Sequence, residues 1–181
     1  CPALPLPMFA NDQFGDRVMA GRAHQTLRFE YVEQQKIIDI SDADVTGEYF
    51  RETGGADTGL DPVLSLNRWR KLGWHAAGGR YKIKAWAEVA IDPDQVKAAV
   101  ASDLGIGFCW RLPKFAMDQT DAGQPWDIHH GAGQQIIGGH YTYGDKYDPA
   151  TGTVITWARR QAFTWRFFLR YCEMAFAVFN A

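Results

Sequence analysis

The hydrophobic period of this chain changes at Gly78-Gly79, and that change limits the folds open to it more than any other feature. Before it, apolar residues recur at helical spacing; after it, they alternate as they do along strands. Asp16 is placed to cap a helix over about 17–35, where Ala20, Ala23, Leu27, Tyr31 and Gln34 repeat on one side. Ser41 opens a second helix that runs through Tyr49 and Phe50 and stops at Gly54-Gly55. Asp61-Pro62 opens a third, carrying Val63, Leu66, Trp69 and Leu72, with Gly73 as its exit. Beyond Gly79, the residues Tyr81, Ile83, Ala85, Ala87 and Val89 alternate with polar neighbours and predict one strand. Asp92 and Gln95 have capping-box spacing for a short helix ending at Leu104. Residues 106–111 read as a strand, 112–134 as a polar loop, and 136–147 with 152–157 as a hairpin turned over 148–151. A helix over 163–172 and a strand over 174–179 follow, while the proline-rich residues 1–10 read as extended. Helices first and strands second, with no βαβ alternation, make the fold class α+β. The expected architecture is one domain over 1–181. In it a helical lobe over about 11–75 packs on an antiparallel sheet or partial barrel over about 80–181, with a cleft between.

Charge narrows the partners. The formal net charge is −2 and no basic run exceeds a pair, so neither nucleic acid nor an anionic membrane is an expected partner. No stretch approaches the roughly 20 apolar residues of a membrane span. Three cysteines are too few for a disulfide framework, and no C-x-x-C or Cys/His array implies a metal or another cofactor. The opening Cys-Pro-Ala-Leu-Pro-Leu-Pro lacks the basic n-region of a signal peptide. A cytoplasmic location is therefore expected, with processing or lipidation at Cys1 left open.

The stretch from Asn11 through Gly15-Asp16-Arg17-Val18-Met19-Ala20-Gly21-Arg22-Ala23-His24 resembles the active-site opening of papain-like cysteine peptidases, in a branch common in bacteria and phages. That branch reads G-N-D-x-x-G-D-C-V-x-A-G-x-A-H, and Arg17 stands at the position of its nucleophilic Cys. Thr58 through Gly73, ending Trp69-Arg70-Lys71-Leu72-Gly73, resembles the second signature of the branch. Gly138-Gly139-His140, Tyr147-Asp148, Val154-Ile155-Thr156-Trp157 and Phe163-Thr164-Trp165 resemble the rest. The resemblance implies a two-lobed papain-like fold, His140 as general base and Asn11 as oxyanion donor. It finds no counterpart of the Asn that orients the base in papain. An Arg cannot attack a carbonyl, so the implied peptidase reaction is removed.

The strand after the motif histidine departs from the apolar run of the family. It reads Tyr141-Thr142-Tyr143-Gly144-Asp145, and by period 2 Tyr141, Tyr143 and Asp145 share one face. Asp145 either pairs with Lys146, Arg111 or Arg17, or acts as an acid/base. Tyr141, Tyr143 and Trp110 either form an aromatic pocket or simply pack. Cys109 is either a relocated nucleophile or an inert core thiol. Arg17 either bends back to Asp16 or Asp12, or holds an anionic ligand with His140 and Asn11. Arg22, on another face of the helix, supports the lobe instead. A metal site of His129, His130 and His140 is set aside because adjacent histidines diverge. The function expected is binding, and acid/base transformation, of a small acidic or aromatic ligand: cyclisation, isomerisation, elimination or hydrolysis. Two alternatives stand beside it. One is a non-catalytic pseudopeptidase that binds a peptide or small ligand; the other is a thiol hydrolase inactivated at residue 17 or using Cys109.

Overall fold

The computed structural model describes residues 4–102 and 105–180. The expectations placed on Cys1 and on a helix end at Leu104 lie outside the described residues. The chain divides into two compact units. One comprises Cys1–Trp86, Trp157–Arg159 and Phe179–Ala181, and the other Ala87–Thr156 and Arg160–Val178.

The first unit is built on α1 (Arg17–Gln34), α2 (Asp42–Thr53) and α3 (Pro62–Lys71). Local chemistry sets their ends. Ser41 Oγ accepts from the Asp44 N–H at 3.1 Å while the Asp44 carboxylate accepts from the Ser41 N–H at 3.0 Å, a reciprocal capping box on α2. Asp61 accepts from the Leu64 N–H at 2.9 Å, with Pro62 as first helical residue of α3. Gly73 then leaves that helix at φ 73°, and a Cβ there would lie 2.7 Å from the Tyr81 carbonyl oxygen. Only glycine combines that backbone with so close an approach.

A buried charge cluster joins the three helices. Arg22 on α1 is 3% exposed. Its guanidinium donates to Glu52 of α2 at 2.8 Å, and to the Ser65 carbonyl of α3 at 3.0 Å and the Ser65 hydroxyl. It also lies over the Trp69 ring, 5.5 Å from the centroid. Arg68 Nε lies 3.4 Å from both Glu48 and Glu52, and Arg51 closes on Glu48. Arg22 thus has the supporting role expected of it.

The single strand expected over 81–89 is two. After α3 the chain forms β1 (Trp74–Ala76) and β2 (Gly79–Tyr81) as a hairpin, then β3 (Ala85–Val89). Ala77 and Gly78, at φ 49° and 72°, make the turn. The glycine pair is therefore part of a hairpin, not a boundary before the first strand.

The remaining elements are α4 (Pro93–Ala101), β4 (Ile106–Pro113), α5 (Lys114–Asp121), β5 (Ile136–Tyr147), β6 (Thr151–Thr156), β7 (Arg159–Thr164), α6 (Trp165–Tyr171) and β8 (Cys172–Phe179). Their five strands and β3 form an open six-stranded sheet in the order β3-β8-β4-β5-β6-β7, not a closed barrel. The strand β4 pairs antiparallel with β5 and β8, so it is central. Two sequence expectations need correction. The loop expected over 112–134 contains α5, whose Phe115, Ala116 and Thr120 are buried; tertiary burial outweighs its modest apolar content. The helix expected from residue 163 starts at Trp165, because Gln161 and Phe163 alternate into the sheet first. Thr164 then caps α6, its hydroxyl accepting from the Phe167 N–H at 3.2 Å.

The core of this second unit is aromatic. Phe108, Trp110, Trp126, Phe163, Phe167 and Phe168 are fully buried, and the Trp110 ring lies 5.1–5.8 Å from Phe163, Phe108, Trp126 and Phe167. These separations suit edge-to-face and tilted packing.

Removing Arg22 leaves Glu52 buried without its closest cation. Arg22→Met is expected to lower the unfolding free energy in urea by about 3–5 kcal/mol. Arg51→Met, which removes a side chain that is 57% exposed, is expected to cost less than about 1 kcal/mol. Similar losses in both variants would show that burial of the cluster is not what matters.

Candidate functional site

In the helical unit the site begins with the chain entering α1. Phe9 and Ala10 have positive φ, 57° and 59°, and the buried Phe9 ring lies 4.8 Å from His24. The Asn11 N–H donates to the Met8 carbonyl at 3.3 Å, and its Oδ1 is buried without a partner among the described residues. Gly15 donates its N–H to Asp57 at 2.8 Å, and the same carboxylate oxygen accepts from the Tyr49 hydroxyl at 2.6 Å. Tyr49 in turn accepts from the Gly59 N–H at 2.9 Å. The Tyr49 hydroxyl and the Gly15 N–H hold the Asp57 carboxyl below its ordinary pKa. Asp57 and Tyr49 thus tie the turn before α1 to the segment that follows α2.

Asp16 occupies the N-cap position, but with φ −87° and ψ 21° its side chain caps no first-turn N–H. A typical N-cap has extended backbone, which aims the side chain at the helix end. The Asp16 side chain is instead buried, at 1% exposure, and neither oxygen meets a hydrogen-bond partner on another described residue. Desolvation pushes its pKa up to about 7; its own backbone N–H opposes the rise, the Asp57 and Asp42 charges add to it, and Arg17 offsets it slightly. Arg17 is exposed. Among the described residues it makes no hydrogen bond or ion pair, so of its two alternatives the ion pair with Asp16 or Asp12 does not form.

In the sheet unit, His140 is 4% exposed on β5. Its Nε2 lies 2.8 Å from the Thr156 hydroxyl on β6. The family resemblance gave no counterpart of an orienting Asn, and the Thr156 hydroxyl is a polar group that stands at this ring nitrogen. A hydroxyl can hold a ring nitrogen as an amide does. The residue lies inside the Val154-Ile155-Thr156-Trp157 motif, so a search for polar groups of any kind there would have found it. Trp126 lies edge-on to the His140 ring at 6.4 Å. Its backbone is held by Ala162 and Thr164, both at 2.9 Å, and its indole N–H by Thr120 at 2.8 Å. The next residue, Asp127, accepts from Arg166 Nε at 2.6 Å and the Thr164 hydroxyl at 2.7 Å. Arg166 above all draws the Asp127 pKa down to about 2.

The other predicted residues separate. Trp110 stands opposite His140 in the β4–β5 register, and its indole N–H donates to the Thr142 hydroxyl at 2.8 Å. Residues directly opposite share a face, so Trp110 lies on the His140 face of the sheet and Tyr141 and Tyr143 on the other. An aromatic pocket of Tyr141, Tyr143 and Trp110 is therefore not formed. The two tyrosines lean diagonally across β4: a Cβ at Gly107 would meet the Tyr141 hydroxyl, and one at Gly105 the Tyr143 ring. Cys109, opposite Tyr141, is buried. Burial raises the neighbouring Cys172 thiol well above its ordinary pKa, with Cys109 adding to the rise. Asp145 sits where the β5–β6 register shifts, between Gly144 and Lys146. Its carboxylate is bound by Arg160, at 2.6 and 3.2 Å, rather than by Lys146, Arg111 or Arg17. The bulge frees Asp145 from simple alternation, which is why period 2 did not indicate its partner. His129 and His130 are exposed, and no group of three His, Cys, Asp or Glu side chains among the described residues could hold a metal ion.

Compared with solved structures, the chain is similar to xylellain, a cysteine protease from Xylella fastidiosa. The TM-score is 0.79 over 100% of this chain and 84% of that one, at 13% identity. The fold is papain-like. A cysteine protease from Carica candamarcensis, solved in complex with E-64, gives a TM-score of 0.67 over 99% of this chain and 93% of that one, at 11% identity. No protein-family model and no curated protein sequence matches. At such identities the likeness establishes the papain-like fold and leaves the activity to the side chains. No described helix is long and apolar enough to cross a membrane.

Asp16 gives this papain-like chain a testable pH dependence. Its folded pKa, about 7, stands above the ordinary 3.8, so the native state binds more protons between these values. Stability from this group is full below about pH 4 and is lost as pH rises through about 7. Asp16→Asn is expected to match wild type near pH 4 and exceed it by about 2–4 kcal/mol near pH 8 in urea unfolding. A difference that does not grow with pH would mean that Asp16 titrates normally.

Proposed function

We propose that this chain is a papain-fold protein without the peptidase nucleophile, which binds a small acidic or aromatic ligand and transforms it by non-covalent acid/base chemistry. The observation that carries this reading is Arg17. It opens α1 as an exposed cation with no partner among the described residues, and Asp16 leaves the first-turn N–H groups without a side-chain cap. A guanidinium beside free helix N–H donors favours an anion, and a planar carboxylate most of all. By the motif resemblance, residue 17 is the nucleophile position, and a guanidinium cannot supply one.

His140 is the proton-handling group in this proposal, its ring oriented by the Thr156 hydroxyl. Asn11, whose position in the motif is that of the oxyanion donor, assists in stabilising negative charge. Asp145 is left out of the chemistry because Arg160 binds both its oxygens. Burial of Cys109 in the central strand argues against a thiol mechanism.

Benzoate, with benzamide as neutral control, is the probe for the first step. Calorimetric titration is expected to give at least a tenfold weaker benzoate affinity for Arg17→Gln than for wild type, and little binding of benzamide to either. Unchanged benzoate affinity in the variant would remove Arg17 from the site. A second assay separates a repurposed protein from a disarmed peptidase: Arg17→Cys is expected to remain inactive on fluorogenic peptide amides, whereas hydrolysis by it would favour the disarmed peptidase.

A further inference from the structure

The helical unit holds a cavity of about 530 Å³ beside α3, walled also by Thr58, Gly59 and Leu60 of the preceding loop. Its volume lies in the range of small-molecule sites. Leu64, Arg68 and Lys71 of α3 and its C-cap Leu72 line it at spacings of four, three and one, so one flank of the helix and its end supply both its apolar and its cationic surface. Leu60 adds to the apolar part from the preceding loop. Leu64 is 70% exposed, an unusual cost for a large aliphatic side chain in a helix with ample buried positions.

The charges in the cavity wall are unequally satisfied. Glu52 is bound by Arg22 at 2.8 Å, and Asp61 accepts the Leu64 N–H at 2.9 Å. Arg68 uses only its Nε, toward Glu48 and Glu52. Among the described residues its terminal nitrogens and the Lys71 ammonium make no hydrogen bond. The Thr53 hydroxyl, buried in the same wall, also lacks a partner among the described residues. The wall thus presents cationic donors whose acidic neighbours are already engaged, next to three leucines.

We propose that this cavity is a second binding site, for a carboxylate attached to a branched aliphatic group. The carboxylate meets the Arg68 terminal nitrogens and Lys71, and the aliphatic group covers Leu60, Leu64 and Leu72. An acylated amino acid such as N-acetyl-leucine and the C-terminus of a peptide ending in leucine share this chemistry. The site does not rest on the Arg17 reading.

The test is an amide NMR titration of the full chain. N-acetyl-leucine is expected to shift the amides of Leu64, Arg68, Lys71 and Leu72, while N-acetyl-leucinamide binds at least tenfold more weakly. Lys71→Gln and Leu64→Ala are each expected to weaken the acid about fivefold. Both positions are exposed, so these variants keep the fold, and Arg68 is spared because it also binds Glu48 and Glu52. A tetrapeptide ending in leucine, with free or amidated terminus, identifies the source. Tighter binding of the free peptide than of N-acetyl-leucine upholds the site as a peptide-terminus site, and equal binding upholds it as one for small acyl amino acids. Absence of these shifts, equal binding of acid and amide, or wild-type affinity in both variants overturns the proposal.

Discussion

A guanidinium withdrawn from water must find acceptors for nearly all of its N–H groups, and that requirement organises the helical unit. Arg22 meets it by taking one partner from α2 and two from α3 while sitting on α1. Hydrophobic contact alone would allow the three helices to slide by part of a turn, since leucine and valine pack in several registers. A bidentate guanidinium does not allow this, because its donors are fixed in one plane. Arg68 extends the constraint by bringing Glu48 and Glu52, one helical turn apart, under a second cation. The turn before α1, tied through Gly15, Asp57 and Tyr49, inherits this rigidity.

The sheet unit solves a different problem. Its central strand must take aromatic bulk from both neighbours and still keep its hydrogen bonds. Gly105 and Gly107 leave room for Tyr143 and Tyr141 on one face, while Trp110 and Phe108 stack into the ring cluster on the other. The polar strand that departs from the family pattern is accommodated by individual partners: Thr142 for Trp110, Thr156 for His140 and Arg160 for Asp145. None of these pairs is adjacent in sequence. Together they give three buried side chains of β5, His140, Thr142 and Asp145, a hydrogen-bond partner, which lowers the cost of burying them.

Much of the fold was legible from residue types whose effect is local. Ser41, Asp61, Pro62, Gly54 and Gly73 mark helix ends because capping and backbone conformation depend on residues only a few positions away. The hairpin of β5 and β6 was legible for the same reason. The hairpin of β1 and β2 was not, because its turn uses Ala77 in a left-handed conformation that alanine seldom adopts. Helix α5 was missed because its stability comes from burial of Phe115 and Ala116 rather than from propensity.

The candidate site divides in the same way. The sequence by itself determined an α+β chain, the cation at the start of α1, a histidine in a Gly-Gly-His motif and a core role for Arg22. These depend on residue identity and short-range periodicity. Tertiary structure alone decided that Asp16 turns inward without capping, that Thr156 holds His140, that Trp110 and the two tyrosines lie on opposite faces, and that Asp145 belongs to Arg160. Each of these depends on strand register or on burial. A shift of one residue in register exchanges the faces of a sheet, and the cost of burying a charge depends on partners far away in the chain.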